Sequence, residues 1–283
     1  RPLVWPGELG AAIALVPRNH DLGSFQSQHG FVGLYHQGLF SDGMNEHGMA
    51  VSALWLDISA YSPEGDGARA ISEVVGYVLG NTKTLDEAIA YIEDNRFYTY
   101  APEVLGDLEL KLHFAITGPS GRSIAVEFVN GETKIYENEV GAFTNDPPFN
   151  EHLEIWAQYN PKNFSEETFE GFDYSPEGRF SRMAAINATQ AAVPTDEAAV
   201  NRAWSMVNTV DIPQGILYWR WVNDEPQFTS YSVVGDVNNK TYYFRTYDNY
   251  DIRKIDLRTI DFEAAEFKTR SIYGTENYSS YEF

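Results

Sequence analysis

The chain has 283 residues, and 41 Asp+Glu against 20 Lys+Arg give it a formal net charge of −21. Because 43% of the residues are hydrophobic and 14% are aromatic, the chain can bury a large core and is not expected to be disordered. An acidic surface repels phosphate backbones and anionic lipid headgroups. We therefore expect no nucleic acid partner and no anionic membrane partner.

The sequence contains no cysteine, so these residues supply no disulfide, thiolate metal ligand or thiol nucleophile. The longest apolar stretch, 11–16, is far shorter than the roughly 20 residues that span a bilayer, and we expect no membrane insertion. The first residues show no charged region followed by an apolar region, so no secretory signal is visible in the sequence. Because a removed signal would leave no trace, the localisation stays open, with a periplasmic or secreted protein favoured over a cytoplasmic one.

The first half of the chain predicts strands interrupted by a helix pair. Apolar residues from Ile71 to Leu79 recur at helical spacing and stop at Gly80-Asn81, and Thr84 with Glu87 forms a capping box that begins a second helix. An Asn130-Gly131 pair supplies the positive φ angles of a tight hairpin turn. Short runs rich in β-forming residues predict strands at 11–16, 30–36, 49–56, 111–117, 122–129 and 133–136.

The second half of the chain repeats the alternation of helices and strands. Helices are predicted at 178–189 and at 196–210, the second with Thr195 as its N-cap. Strands are predicted at 229–235, 241–247 and 252–256. The polar segment 159–177 is interpreted as a long loop within the domain rather than as a domain boundary. The order of elements favours one α+β domain over 1–283, in which helix pairs cover antiparallel sheets.

Common catalytic and metal-binding motifs are absent from the sequence. The six histidines are not spaced as a helical metal pair, and the acidic clusters do not follow the spacing of a calcium loop. No G-x-S-x-G, G-x-G-x-x-G or P-loop occurs. We therefore expect neither a metal nor a cofactor.

Four longer segments carry a family resemblance. They read DGMNEHGMAVSALWL at 42–56, GAFTNDPPFNEHL at 141–153, GRFSRMAAI at 178–186 and TYDNYDIRKIDL at 246–257. In order and spacing they resemble the choloylglycine hydrolase family, which contains penicillin V acylases and bile salt hydrolases. The start, RPLVW followed by AIALVPRN, is similar to the family's second strand region. The resemblance implies the four-layer αββα sandwich of N-terminal nucleophile hydrolases and the hydrolysis of linear amides.

The resemblance also implies roles for single residues. In the family an N-terminal Cys thiol attacks the amide, its own α-amine accepts the proton, and an Arg and an Asp orient these groups. Arg1 matches that Arg, Val4 stands where the Asp is expected, and no residue matches the Cys. Asn145 matches the Asn that donates to the developing oxyanion. Arg179 matches the Arg that supports the catalytic centre.

Each of these positions has a structural alternative. Arg179 could be a surface residue paired with Glu177, and Asn145 could simply favour the turn that precedes two prolines. Trp5 and Trp55 match positions that line the family's substrate pocket, although large aromatic residues are also ordinary core residues.

Two hypotheses about function follow from the resemblance and the missing thiol. The first is a linear amide hydrolase seen without its nucleophile strand, acting on a small acyl amide such as a penicillin V-like compound, a bile salt or an N-acyl homoserine lactone. The alternative is a catalytically inactive family member that acts as a structural or self-assembling protein. A missing first strand would leave an open sheet edge for strand addition from another chain, and a homo-oligomer is expected.

Overall fold

The computed structural model describes residues 10–65, 67–160, 173–219 and 225–274. These residues form a mixed α+β structure. Its helices are α1 (Glu73–Asn81), α2 (Leu85–Asp94), α3 (Phe149–Trp156), α4 (Pro176–Thr189) and α5 (Asp196–Asn208). None of these helices is long and apolar enough to cross a bilayer.

The largest sheet has eight strands, and every neighbouring pair in it is antiparallel. In spatial order the strands are β15 (Lys268–Ser271), β1 (Ala12–Val16), β2 (Phe31–His36), β3 (Leu39–Asn45), β4 (Ala50–Trp55), β7 (Leu112–Thr117), β8 (Ser123–Val129) and β9 (Glu132–Glu137). A second antiparallel sheet contains β12 (Tyr231–Asp236), β13 (Thr241–Thr246) and β14 (Arg253–Asp256). Two strand pairs complete the set, β5 (Ala68–Ala70) with β6 (Arg96–Tyr98) and β10 (Leu217–Trp219) with β11 (Glu225–Gln227).

Most predicted elements are confirmed, but one helix and several strands were missed. Asn130 and Gly131 have φ angles of 57° and 76° and connect β8 to β9 as the hairpin turn requires, and the capping box of Thr84 and Glu87 is present. The sequence did not predict α3, the strands β3 and β15, or the short strands β5, β6, β10 and β11. β3 contains Asp-Gly, which is typical of turns, and α3 follows directly after two prolines.

One face of the eight-stranded sheet is covered by α1 and α2. This layer is held by burial of the apolar stripe that the helical spacing predicted, and each fully buried large side chain contributes about 1.5–3 kcal/mol. The buried residues include Val74, Val75, Val78 and Leu79 from α1, Ala88 and Ile92 from α2, and Phe114, Ile116 and Val126 from the sheet.

The opposite face of the sheet is covered in two parts. Tyr242 and Phe244 of β13 pack against Val32, Leu34 and Met44 of the larger sheet. Successive residues of a strand point to opposite faces, and accordingly Arg245 points away and lies 5.1 Å from the ring of Trp204 on α5. At the other end of the same face, α3 and α4 cover β8 through Ala125, Phe149 and Phe180.

The larger sheet shows no gap among the described residues. Its outer strands are β15 and β9, and the predicted strand 11–16, observed as β1, lies at an inner position between β15 and β2. In the second sheet, β12 pairs with β13 on one side and with no described strand on the other. A gap between strands of the eight-stranded sheet is therefore not observed, and the prediction of strand addition is left to outer strands such as β12.

The D-G-x-N-E segment forms the end of β3 and is held by structural contacts. The carboxylate of Asp42 accepts hydrogen bonds from Ser52 Oγ and from Tyr242 OH, the latter at 2.6 Å. Gly43 has no room for a side chain, because a Cβ there would lie 2.6 Å from the backbone oxygen of Val32 and 2.6 Å from Leu79 Cδ1. The motif thus ties the two sheets and α1 together, which explains its composition without a catalytic role.

Replacing Asp42 by Asn is expected to change how stability depends on pH. Burial raises the pKa of Asp42, so the folded state favours the neutral acid, and wild-type stability falls as the pH rises through that pKa. Because Asn cannot ionise, urea denaturation from about pH 4 to pH 8 should show the variant gaining stability relative to wild type. A difference that stays constant across this range would contradict the assignment.

Candidate active site

The candidate active site lies where β4 ends and the segment before α3 passes over it. Asn145 Nδ2 donates to the carbonyl oxygen of Trp55 at 3.1 Å. Two residues after Trp55 and one residue after Asn145, the backbone N–H of Asp57 donates to Asp146 Oδ1 at 2.9 Å. These two bonds fix the T-N-D segment against the end of the strand.

The amide of Asn145 is oriented by Arg179. Arg179 Nη2 lies 3.2 Å from Asn145 Oδ1, and because a guanidinium can only donate, the amide oxygen must face it. One Nδ2 hydrogen is used by Trp55. The second makes no hydrogen bond to any residue that the structure describes, so it is free to donate to a ligand.

Arg179 is buried, with 7% of its surface exposed. It lies in the first turn of α4, where the Ser175 side chain accepts from Gly178 N at 3.0 Å, and its Nε donates to the carbonyl of Tyr174 at 3.2 Å. Burial lowers its pKa to about 10, while the charge of Glu177 acts in the opposite direction. The alternative of an exposed arginine paired with Glu177 is therefore wrong.

Trp55 is also buried, with 7% of its surface exposed. Its indole N–H donates to the carboxylate of Asp57. Burial raises the pKa of the neighbouring Asp146. The side chain of Trp55 is thus buried and hydrogen-bonded within the protein, and its contact with a substrate stays a prediction.

A buried hydrogen-bonded pair of Glu127 and His113 connects this site to the sheet, and the sequence did not single it out. Glu127 Oε1 lies 3.1 Å from His113 Nδ1 and accepts from Phe149 N, the first residue of α3, at 2.9 Å. Both side chains of the pair are completely buried. The one charged residue in the apolar strand SIAVEFV was the available signal, because a carboxylate inside a buried strand needs partners.

His152 completes the support of Asn145 from the other side. Its Nε2 lies 2.9 Å from the carbonyl oxygen of Asn145. Since a carbonyl only accepts, Nε2 carries the proton. Burial lowers the pKa of His152, so the ring acts here as a neutral donor.

Comparison with protein families matches almost the whole chain to one family. The model of "Linear amide C-N hydrolases, choloylglycine hydrolase family" matches residues 1–270. The chain belongs to the choloylglycine hydrolase family. Members of this family of N-terminal nucleophile hydrolases act on linear amides.

Individual relatives are distant in sequence. An uncharacterized protein of Paramecium bursaria Chlorella virus 1 is 28% identical over 238 residues, which cover 77% of this chain and 84% of that protein. Penicillin V acylase of Pectobacterium atrosepticum is 24% identical over 278 residues, covering 92% and 69%. A variant of conjugated bile acid hydrolase from Clostridium perfringens has a crystal structure with a TM-score of 0.83 at 21% identity, covering 96% and 92%. That likeness shows that the two folds agree.

Arg1, Val4 and Trp5 of this choloylglycine hydrolase family member lie outside the described residues. Their positions relative to Asn145 and Arg179 therefore stay predictions. The structure brings Asn145, Arg179 and the Trp55 backbone together although 90 residues separate Trp55 from Asn145 and 34 separate Asn145 from Arg179.

Proposed function

We propose that this protein is a linear amide hydrolase of the penicillin V acylase and bile salt hydrolase type, working with a nucleophile that the 283 residues do not contain. The observation that carries the proposal is the amide of Asn145, which Arg179 orients so that one N–H makes no hydrogen bond to any described residue. A fixed neutral donor of this kind suits the oxyanion that forms when an amide carbonyl is attacked. The substrate class is a small acyl amide, in which the acyl group occupies a pocket beside Trp55 and Trp5.

In this proposal Asn145 acts on the reacting carbonyl and Arg179 acts through Asn145. The free N–H of Asn145 stabilises negative charge on the substrate oxygen, an effect worth about 10²–10³ in kcat when one such donor is removed. Arg179 is a positioning residue, because both of its described hydrogen bonds go to protein oxygens. Arg1 would orient the nucleophile and its amine, as the family resemblance implies.

The 283-residue polypeptide alone is expected to show no hydrolysis of penicillin V, glycine-conjugated bile salts or N-acyl homoserine lactones. It has no thiol, and the rest of the site can only bind and polarise the amide. Turnover that survives repeated purification and disappears in Asn145→Ala would overturn this expectation.

The intact mass of the protein from its natural source tests the proposal directly. Additional N-terminal residues beginning with Cys, together with hydrolysis of one of these amides, would support it. In that form Asn145→Ala should lower kcat by about 10²–10³. Asn95→Ala is the matched control, because this amide bonds Arg69 and the carbonyl of Tyr91 at the end of α2, on the other face of the larger sheet.

We also propose the four-layer αββα arrangement within a single domain spanning 1–283. The packing supports it: α1 and α2 lie on one face of the larger sheet, the second sheet lies on the other, and α5 packs against β12.

A second candidate is a catalytically inactive family member with a structural or assembly role. Two sequence observations favour it, the absence of cysteine and Val4 at the position expected for Asp. The side of β12 without a described partner offers backbone groups for strand addition and hence for a homo-oligomer. A natural protein whose mass equals that of the 283 residues, and which sediments as an oligomer without amidase activity, would favour this candidate.

A further inference from the structure

A cluster of possible metal ligands lies at the end of the larger sheet opposite to the candidate active site. Glu46 and His47 form the turn between β3 and β4, and His29 lies just before β2. Trp55 is at the far end of β4, about 17 Å away for five residues of extended strand. The cluster is therefore separate from Asn145 and Arg179.

The three side chains converge on one point. One ligand atom of each of His29, Glu46 and His47 lies within 4.8 Å of the others. The two imidazole rings meet almost perpendicularly, with their centroids 4.6 Å apart. Two imidazoles and one carboxylate are a ligand set typical of zinc and neighbouring transition metals.

Among the described residues, the two imidazoles of the cluster lack the ring hydrogen bonds that three of the other four histidines make. Within the described residues, no hydrogen bond reaches a ring nitrogen of His29 or His47, although His29 is only 8% exposed. Ring nitrogens with hydrogen-bond contacts belong to His36, His113 and His152. Nitrogen lone pairs without protein partners are available to a metal ion.

The turn that carries two of the ligands is rigid. Asn45 Nδ2 donates to the carbonyls of Leu79 and Thr82 at 2.9 and 2.7 Å, which anchors the turn to the end of α1. Its Oδ1 accepts from the backbone of His47 at 2.9 Å. A ligand pair held in this way needs little ordering when a metal binds.

We propose that His29, Glu46 and His47 bind a divalent first-row transition metal such as Zn²⁺, with water at the remaining position. The bound ion would join the segment before β2 to the β3–β4 turn and stabilise this end of the sheet. The spacing of histidines along the chain did not indicate the site, because its ligands come from two segments 18 residues apart (47 − 29).

Arg18 competes with the metal for Glu46. Arg18 Nε donates to Glu46 Oε1 at 2.8 Å and Nη2 contacts Oε2, while Gly30 N also donates to Oε1 at 2.8 Å. Lys83 and Lys240 add positive charge around His47, and Glu87 adds negative charge near His29. A metal ion must therefore share or displace the arginine, which predicts tighter binding when Arg18 is neutralised.

Zinc titration of the untagged, EDTA-treated chain tests the site. By calorimetry Zn²⁺ should bind with a stoichiometry of one, and about a hundredfold excess over the Kd should raise Tm by roughly 4 °C. Mg²⁺ at the same concentration is the control for nonspecific attraction to the acidic surface. An equal shift with Mg²⁺ would overturn the proposal.

Three variants separate this site from incidental zinc binding. His47→Asn, at a partly exposed turn position, should weaken Zn²⁺ binding at least about tenfold, whereas His20→Asn outside the cluster should leave it unchanged. Arg18→Gln should tighten binding about tenfold, because a competing cation is removed. Unchanged affinity in His47→Asn, or weaker binding in Arg18→Gln, would overturn the proposal.

Cobalt provides a readout on the unaltered chain: a spectrum of purely hydrated, octahedral Co²⁺ would also reject the proposal.

Discussion

Glu127→Ala is expected to lower the free energy of unfolding by about 3–5 kcal/mol, because two buried groups, the His113 ring and the backbone N–H of Phe149, lose their hydrogen-bond partner at roughly 1–3 kcal/mol each. His113 would lose the carboxylate at 3.1 Å, and the first N–H of α3, on Phe149, would lose its acceptor. For a chain of this length that loss corresponds to a Tm lower by roughly 5–8 °C. Urea and thermal denaturation measure the change.

Two matched variants control this experiment. Glu127→Gln keeps an oxygen that can accept from Phe149 N and should cost clearly less than the alanine variant. Glu132→Ala, an exposed glutamate at the start of β9, should have little effect. Equal stability of Glu127→Ala and wild type would contradict the buried network.

The same substitution is expected to loosen the candidate active site. α3 carries His152, which donates to the carbonyl of Asn145, so fraying of the first turn of α3 withdraws that support. Hydrogen exchange of the amides 149–152 should become faster in Glu127→Ala while the amides of α1 stay protected. Uniform acceleration over the whole chain would instead indicate global destabilisation only.

Arg179→Ala is expected to be the second most damaging change, with a loss of about 2–4 kcal/mol. The Oδ1 of Asn145 and the carbonyl of Tyr174 would lose their donor, and the space of a long buried side chain would be left. The alanine variant no longer has to bury a charged guanidinium. Because burying a charge costs free energy, this offsets part of the loss. Chemical denaturation at neutral pH measures the balance.

Arg179→Met and Arg179→Lys separate packing from orientation. Met restores much of the volume and removes the buried charge, so it should be more stable than the alanine variant. Lys keeps the charge but cannot form the two-pronged contact to Asn145 and Tyr174. Arg122→Ala, which breaks exposed ion pairs with Asp86 and Glu137, should change stability little. A larger loss of stability in Arg122→Ala than in Arg179→Ala would contradict the argument from burial.

In an active form of the protein, all three Arg179 variants should lower kcat more than they raise KM. Asn145 would be free to rotate its amide, and a misdirected donor stabilises the transition state less than a fixed one. A raised KM with an unchanged kcat would indicate that Arg179 binds the substrate rather than positioning Asn145.

Local sequence determined the elements whose signals lie within a few residues. The capping box joins Thr84 to Glu87 three positions later, and the hairpin turn needs only Asn130 and Gly131. The apolar stripe of α1 is likewise set by residues three and four apart. Backbone hydrogen bonds inside a helix or a tight turn form between near neighbours, so composition and spacing are sufficient to predict them.

The family motifs identified Asn145 and Arg179, but the sequence left their surroundings open. Whether Arg179 was a surface residue or a buried donor depended on which element covers α4. Only the packing of α3 and α4 over β8 decided it. The orientation of the Asn145 amide similarly depends on contacts to Trp55 and Arg179, 90 and 34 positions away.

The sequence by itself determined the strand-forming segments, the two capped helices, the acidic charge and the absence of a thiol. Tertiary structure alone decided that Asp42 belongs to a strand, because its donor Tyr242 lies 200 residues further along the chain. It also decided that Glu127 is an internal partner of His113 and α3. A buried polar group is stable only where distant parts of the chain supply its hydrogen bonds, and no local pattern of residues records which parts will meet.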